Sequence, residues 1–266
     1  MRPRRGRWWR GAVAAAVIHA CCAPAAPAAE IAPGERRSGY EFMSAETRAM
    51  QDDDATNPAV LALLDGEELW QRKAGAAGQA CARCHGDASV SMKGVAARYP
   101  AWDAAAGRPI NLEQRINACR IGRQQAPAFP YESRELLALT AYVARQSRGM
   151  PIAVAADGPA KPFLDAGRTT FYRRQGQLNL ACTQCHDGLW GKRLTGNSIP
   201  QAHPTGYPLY RLEWQGVGSL QRRLRNCMIG MRAEPYAYGA PEFVDLELYL
   251  MWRARGMKLE TPAVRP

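Results

Sequence analysis

Two pentapeptides of the form Cys-x-x-Cys-His carry the most specific chemistry in this chain of 266 residues. The first is Cys81-Ala-Arg-Cys84-His85 and the second is Cys182-Thr-Gln-Cys185-His186. In such a pentapeptide two thiols form thioethers to the vinyl groups of a haem, and the adjacent histidine ligates the iron. Two of them predict two covalently bound haem c groups. Cys81, Cys84, Cys182 and Cys185 are then the attachment points, and His85 and His186 the proximal iron ligands. A zinc half-site is the other reading of a single such pentapeptide, and its occurrence twice inside a repeat speaks against it. Each pentapeptide is followed at a distance by one more cysteine, Cys119 and Cys227.

The chain repeats itself around these residues. The second pentapeptide lies 101 residues after the first, and at that offset Gly66, Trp70, Arg72 and Gly75 match Gly167, Phe171, Arg173 and Gly176. Further on, Leu112-Glu-Gln-Arg115-Ile-Asn-Ala-Cys119 matches Leu220-Gln-Arg-Arg223-Leu-Arg-Asn-Cys227 at an offset of 108 residues. Such correspondence means two copies of one unit. The trailing cysteine belongs to the unit. A disulfide joining Cys119 to Cys227 is therefore disfavoured against two equivalent local roles.

The elements that must position these residues read as helices. Leu112, Ile116 and Cys119, like Leu220, Leu224 and Cys227, fall at helical i, i+4 and i+7 spacing. A helix is expected to end near Gly75 or Gly176, just before each haem pentapeptide. Another is expected from about Ser133 to Arg148, and its counterpart from Pro241, a favourable first-turn residue, to Arg255, with Gly256 closing it. No alternating strand pattern stands out. The Ala/Pro/Gly-rich stretch Pro151–Pro162 reads as a linker, and the polar residues 30–57 as a surface wrap.

Residues 1–29 have the form of an export signal. Five arginines precede a short apolar run from Gly11 to Ala20, and small residues follow around Ala26-Pro27-Ala28-Ala29. That run is too short to span a bilayer, which needs about 20 apolar residues. Cys21-Cys22 raises a lipoprotein reading that His19 fits poorly. Arg4-Arg5 hints at twin-arginine export, which covalent haem attachment to an unfolded chain disfavours. The whole chain carries a formal charge of +11, and without residues 1–29 it carries +6, a balance that favours anionic substrates or acidic partners.

The distal iron ligands are the open question. Electron-carrying cytochromes c commonly use Met or His. After residue 29 only His203 remains besides the two proximal histidines, and the first unit has no equivalent of it. Met92, Met228 and Met231 lack repeat partners, whereas Met150 and Met257 have them but follow the last helix of each unit. Cys119 and Cys227 are the repeated, iron-competent candidates. A thiolate would lower the reduction potential of its haem. Arg222, Arg223, Arg225 and Arg232 flank Cys227, and on a helix Arg223 lies one turn before it on the same face. A guanidinium binds a sulfur oxyanion in bidentate fashion and lowers a neighbouring thiol's pKa. For Arg222 and Arg225 a solvated helix face is the plainer reading. Arg223 has a counterpart in Arg115, so an ion pair with a haem propionate stays open beside a substrate role.

These residues resemble the SoxA family, the dihaem subunit of the SoxAX cytochrome of bacterial sulfur oxidation. The resemblance covers essentially the whole chain after the export signal. It rests on Ser38-Gly-Tyr40, the stretch Thr47 to Asp54, Asn57-Pro58, both haem pentapeptides, and Arg223-Leu-Arg-Asn-Cys227-Met-Ile-Gly-Met-Arg232. It implies a mainly α fold of two tandem cytochrome c-like domains related by internal duplication, each with one covalent haem. Residues 30–155, with a surface-wrapping extension, would hold the first haem, and residues 156–266 the second haem and the active site. The resemblance implies that Cys119 is the axial thiolate of the first haem iron. It implies that Cys227 both ligates the second iron and becomes a persulfide, and that Arg223 binds substrate. The implied activity is that of an L-cysteine S-thiosulfotransferase, the oxidative conjugation of thiosulfate to a cysteine of the carrier SoxYZ with electrons passing to haem. The implied partners are SoxX, a monohaem cytochrome c in a heterodimer, and SoxYZ. The implied location is the periplasm, with no nucleic acid and no membrane span. Three rival readings are a dihaem thiosulfate dehydrogenase forming tetrathionate, which needs no carrier, a plain electron-transfer cytochrome c with no chemistry at Cys227, and a haem peroxidase, whose five-coordinate haem the two repeated cysteines speak against.

Overall fold

The computed structural model describes residues 30–266; the export signal read in residues 1–29 lies outside them. The N-terminal extension carries α1 (Ala45–Asp52). The first unit then runs α2 (Val60–Gln71), α3 (Cys81–His85), α4 (Ala88–Ser91), β1 (Ala101–Asp103), β2 (Arg108–Ile110), α5 (Leu112–Cys119) and α6 (Arg134–Arg145). The second unit repeats the plan with α7 (Lys161–Tyr172), α8 (Cys182–His186), β3 (Arg193–Leu194), β4 (Asn197–Ser198), β5 (Leu209–Arg211), β6 (Gly216–Gly218), α9 (Leu220–Gly230), α10 (Pro241–Arg253) and β7 (Ala263–Arg265). The architecture is mainly α, as expected.

Each unit is built on one crossing of its first and last long helices, α2 with α6 and α7 with α10. The repeated glycines make that crossing close. A Cβ on Gly66 would collide with the carbonyl of Ala138, and one on Gly167 with the carbonyl of Asp245. The last helices bury nearly a full turn of residues: Leu136, Leu139 and Val143 on α6, and Phe243, Val244, Leu248 and Tyr249 on α10. Each such side chain contributes about 1.5–3 kcal/mol by leaving water. Trp70 and Leu139 of one unit and Phe171 and Leu248 of the other belong to one continuous apolar core.

The helices that carry the trailing cysteines start at clear caps. Asn111 and Gln114 form a reciprocal capping box at α5, and Ser219 accepts from the Arg222 backbone N–H at α9. Ahead of each lies a short antiparallel hairpin, β1–β2 with Asp103 opposite Arg108, and β5–β6 with Arg211 opposite Gly216. β7 adds to β5 in parallel. The sequence pattern did not reveal these strands because two or three residues leave no room for an alternating period. The stretch read as a linker is also better packed than expected: Ile152, Val154 and Ala156 are buried, and the Ala153 N–H donates to Ala97 O at 2.8 Å. The extension lies on the second unit, with the Arg37 N–H donating to Gln201 Oε1 at 2.7 Å and Asn57 Nδ2 to Pro262 O at 3.0 Å.

Candidate functional site

In each unit the haem pentapeptide is a single helical turn, α3 or α8. Cysteines three positions apart on such a turn share one face. The loop that leads into the pentapeptide is pinned to the segment that follows the trailing cysteine. Ala76 and Ala77 donate to Gln125 O and Gln124 O at 3.2 Å each, and Gln177 and Leu178 donate to Arg232 O and Met231 O at 3.1 and 3.4 Å. Gly75 and Gly176 sit at that junction with φ of +66° and +72°, and a side chain on either would strike the opposing backbone. This pairing sets Cys119 opposite the first pentapeptide and Cys227 opposite the second.

The first unit holds a cavity of about 500 Å³ whose wall includes Cys81, Cys84, His85, Met92, Arg115 and Cys119. That volume lies within the range of about 300–1,000 Å³ for cofactor pockets. His85 packs against the Trp70 ring at 5.7 Å, and Trp70 Nε1 donates to Gly86 O at 3.0 Å. Burial and the neighbouring Cys119 sulfur push the Cys81 thiol above its ordinary range. Arg115 is not free here. It donates from Nε to Tyr99 Oη at 3.1 Å and from its terminal nitrogen to Asp103 Oδ2 at 2.5 Å.

The second unit brings His186, Arg223 and Cys227 to one cavity of about 140 Å³, together with Tyr207, Arg211 and Arg265. Cys182 and Cys185 are not among the lining residues but are near enough for the Cys227 sulfur to act on both. Burial, reinforced by Cys227, pushes Cys182 up to about 12 and raises Cys185. Burial alone would raise Cys227 as well. Its hydrogen bond with His186 and the charges of Arg223 and Arg211 outweigh that and hold it below the ordinary thiol value. His186 donates from Nδ1 to Pro200 O at 2.6 Å, which leaves Nε2, the nitrogen on the Cys227 side, as the one with a lone pair for a metal. Donor set and tautomer therefore suit a haem iron between His186 and Cys227.

The neighbouring arginines divide into distinct environments. Arg222 lies over the Trp214 ring at 4.5 Å, and Arg225 lies over Tyr238 at 4.7 Å while donating to Tyr236 O. Both are packed on aromatic faces rather than merely solvated. Arg223 makes no ion pair among the described residues and faces the cavity. Burial would lower its pKa, but Cys227, Tyr207 and Glu213 hold it above the ordinary value. His203, which has no partner in the repeat, is buried, with Nδ1 at 2.9 Å from Arg37 O; since a carbonyl only accepts, Nδ1 carries the proton. Burial drives it down to about 4, so it is a neutral structural residue in the cavity wall.

Three residues of this region escaped the sequence reading. Arg253 and Asp187 form an ion pair at 2.6 Å with side-chain exposures of 1% and 2%, directly behind His186. Arg211 enters the cavity from the end of β5. Asp187 directly follows the second haem pentapeptide, but neither Arg253 nor Arg211 is adjacent in sequence to a motif that would mark it. Among the described residues all six cysteines are free, so no disulfide joins Cys119 to Cys227. No helix among them is long and apolar enough to cross a membrane.

A family model described as the SoxA/TsdA cytochrome c domain matches residues 65–152 and 166–259, one segment per unit. The L-cysteine S-thiosulfotransferase subunit SoxA of Pseudaminobacter salicylatoxidans is 40% identical over 232 residues, covering 87% of this chain and 81% of that protein. The chain belongs to the SoxA family. The subunit of the same name from Rhodovulum sulfidophilum is 39% identical over 87% of this chain and 80% of its own. The crystal structure of SoxXA from P. pantotrophus superposes with a TM-score of 0.84 at 33% identity, covering 87% of each chain. As a member of the SoxA family with two cytochrome c segments, this chain is a dihaem protein with covalently bound haem c.

Proposed function

We propose that this chain is the dihaem subunit of a periplasmic L-cysteine S-thiosulfotransferase, which joins thiosulfate oxidatively to a cysteine of a SoxYZ carrier and works as a heterodimer with a SoxX monohaem cytochrome. The observation that carries it is that Cys227, Arg223 and His186 line one cavity together with two further arginines, Arg211 and Arg265. The names of the relatives agree with it. Residues 30–155 and 156–266 are the two domains. Cys81, Cys84, Cys182 and Cys185 hold the two haems by thioethers, His85 and Cys119 ligate the first iron, and His186 and Cys227 ligate the second.

The haem c held by Cys182, Cys185 and His186 would supply one one-electron acceptor, and the haem of the SoxX partner the second. The residues do the rest. Arg223 attracts and orients the thiosulfate dianion next to Cys227. A persulfide on Cys227 forms a new S–S bond with the terminal sulfur of thiosulfate, and two electrons leave. The carrier thiolate then attacks that sulfur, the bond to the Cys227 persulfide breaks, and the persulfide is restored. The net change is carrier thiolate plus thiosulfate giving carrier S-thiosulfonate and two electrons, with no atom lost. Splitting the reaction at Cys227 is covalent catalysis.

Purified chain with its SoxX partner, SoxYZ and thiosulfate should yield conjugated carrier by mass spectrometry, and Cys227 should carry one added sulfur. Cys227→Ser should abolish turnover; normal activity in that variant excludes the relay. Tetrathionate formed from thiosulfate alone would favour a thiosulfate dehydrogenase instead, and an unmodified Cys227 throughout would favour a plain electron carrier.

A further inference from the structure

The duplication provides an internal control for the cavity beside Cys227. At the offset of 108 residues that relates Cys119 to Cys227, the match extends back through the hairpin. Tyr99-Pro100 corresponds to Tyr207-Pro208, both cis, β1 corresponds to β5, and the caps Asn111 and Ser219 correspond, as do Arg115 and Arg223. One position in this frame reverses its charge. Asp103, the last residue of β1, corresponds to Arg211, the last residue of β5.

The consequence is visible in the ion pairs. In the first unit Asp103 pairs with Arg115 at 2.5 Å, and Tyr99 accepts from the same guanidinium, so that arginine is neutralised and held. In the second unit the acid is gone. Arg211 is 8% exposed at its side chain, and among the described residues its one ion pair is with Glu213, itself 55% exposed, at 2.8 Å. Its Nε is buried without a hydrogen-bond partner. Arg223 has no carboxylate partner among the described residues, and both guanidinium groups line the wall that holds Cys227. Burial and the charge of Arg223 together hold Arg211 below the ordinary arginine value.

We propose that Arg211 is a second anion-binding residue which, with Arg223, grips the sulfonate end of thiosulfate beside Cys227, and that the exchange of Asp103 for Arg211 between the units is what leaves Arg223 free for substrate where its counterpart Arg115 is neutralised. The inference rests on the thiosulfotransferase reading of this site. Two guanidinium forks offer a dianion several charge-assisted hydrogen bonds in fixed geometry. Two like charges on buried and half-buried side chains destabilise one another, and an anion that neutralises them recovers that loss on binding. At the corresponding place in the first unit Asp103 already neutralises Arg115.

The test compares wild type, Arg211→Asp, Arg211→Gln and Arg211→Lys in the haem-loaded complex with SoxX. Arg211→Asp recreates the acid of the first unit opposite Arg223, so the chain should keep its Tm and both haems. KM for thiosulfate should rise about ten- to a hundredfold in Arg211→Asp and Arg211→Gln, with kcat changed by less than about twofold, and Arg211→Lys should recover much of the loss. Independently of turnover, sodium thiosulfate against chloride at equal ionic strength should raise the Tm of wild type and not of Arg211→Asp. That difference supports the anion site even if wild type fails to conjugate thiosulfate, a failure that would overturn only the enzymatic reading. Equal thermal shifts in wild type and Arg211→Asp, or an unchanged KM in both charge-removing variants, overturn the role of Arg211. Loss of the second haem with unchanged KM assigns Arg211 to a haem propionate and overturns it equally.

Discussion

Cys119 and Cys227 hold the same place in two copies of one unit, yet the groups around them differ. Cys119 faces a cavity in which Arg115 is already paired, whereas Cys227 faces unpaired positive charge and a hydrogen-bonded His186. Arg223 is the residue whose freedom this difference creates. Arg223→Ala should raise KM for thiosulfate about ten- to a hundredfold, with the absorbance of both haems unchanged, because the substrate forfeits a charge-assisted hydrogen bond. A KM that stays put would exclude its binding role. Behind the site, the Asp187–Arg253 pair is an expensive arrangement that becomes more so when broken. Arg253 also leaves Nε and one terminal nitrogen unbonded and lies over Phe171 at 4.6 Å. Arg253→Leu strands the Asp187 carboxylate, and the urea midpoint should report a loss of about 3–5 kcal/mol. Arg222→Leu, at the partly exposed aromatic face, should lose far less.

Among the elements, the long helices were readable because their apolar positions recur with helical period and their ends carry Ser, Asn, Pro or Gly. The hairpins were not readable from pattern, although the repeat offset extended back past Leu112 would have aligned Asp103 with Arg211. The packing of α5 against α10 shows what helix periodicity leaves out. Asn111, the α5 cap, donates from Nδ2 to both carboxylate oxygens of Glu247 at 3.4 Å. Burial raises Glu113 to about 7, and burial with the neighbouring Glu113 raises Glu247 as well. Both carboxyls thus bind protons more readily folded than unfolded. Their contribution is most favourable below the ordinary glutamate range and is lost as pH rises through about 7. Glu247→Gln should therefore stabilise the chain by about 1–2 kcal/mol at pH 8 and change little at pH 5, read as urea midpoints at the two values. Equal effects at both pH values would refute this.

Across the molecule, the N-terminal extension is part of the site. Gly39, Phe42 and Met43 line the cavity that holds Cys227, and Gln51 Oε1 accepts from the Val264 N–H at 3.1 Å, tying α1 to β7. The surface wrap expected from its polarity thus walls the cavity of the second unit, while its Asp54 pairs with Arg145 at 2.7 Å and Arg148 at 3.3 Å at the end of α6 in the first. Deleting residues 30–43 should speed alkylation of Cys227 by iodoacetamide and lower Tm, by about 2–4 °C for each kcal/mol of stability removed. Unchanged alkylation would mean that another segment covers the cavity.

The order of residues along the chain was enough for the mainly α fold, the duplication, the two haem c groups and the family. Those rest on local facts: covalent attachment needs its thiols three positions apart, a helix needs its period, and a repeat shows as a fixed offset. It also singled out Cys227 and Arg223, which share one helical turn. What stands across from them was settled by the three-dimensional path of the chain. Arg211 arrives from a three-residue strand, His186 from another helix, Met43 from the distant extension, and Asp187 finds Arg253 at a separation of 66 residues. Electrostatics acts through space and not along the chain. Whether an arginine is free or spent therefore depends on which strand end folds against it.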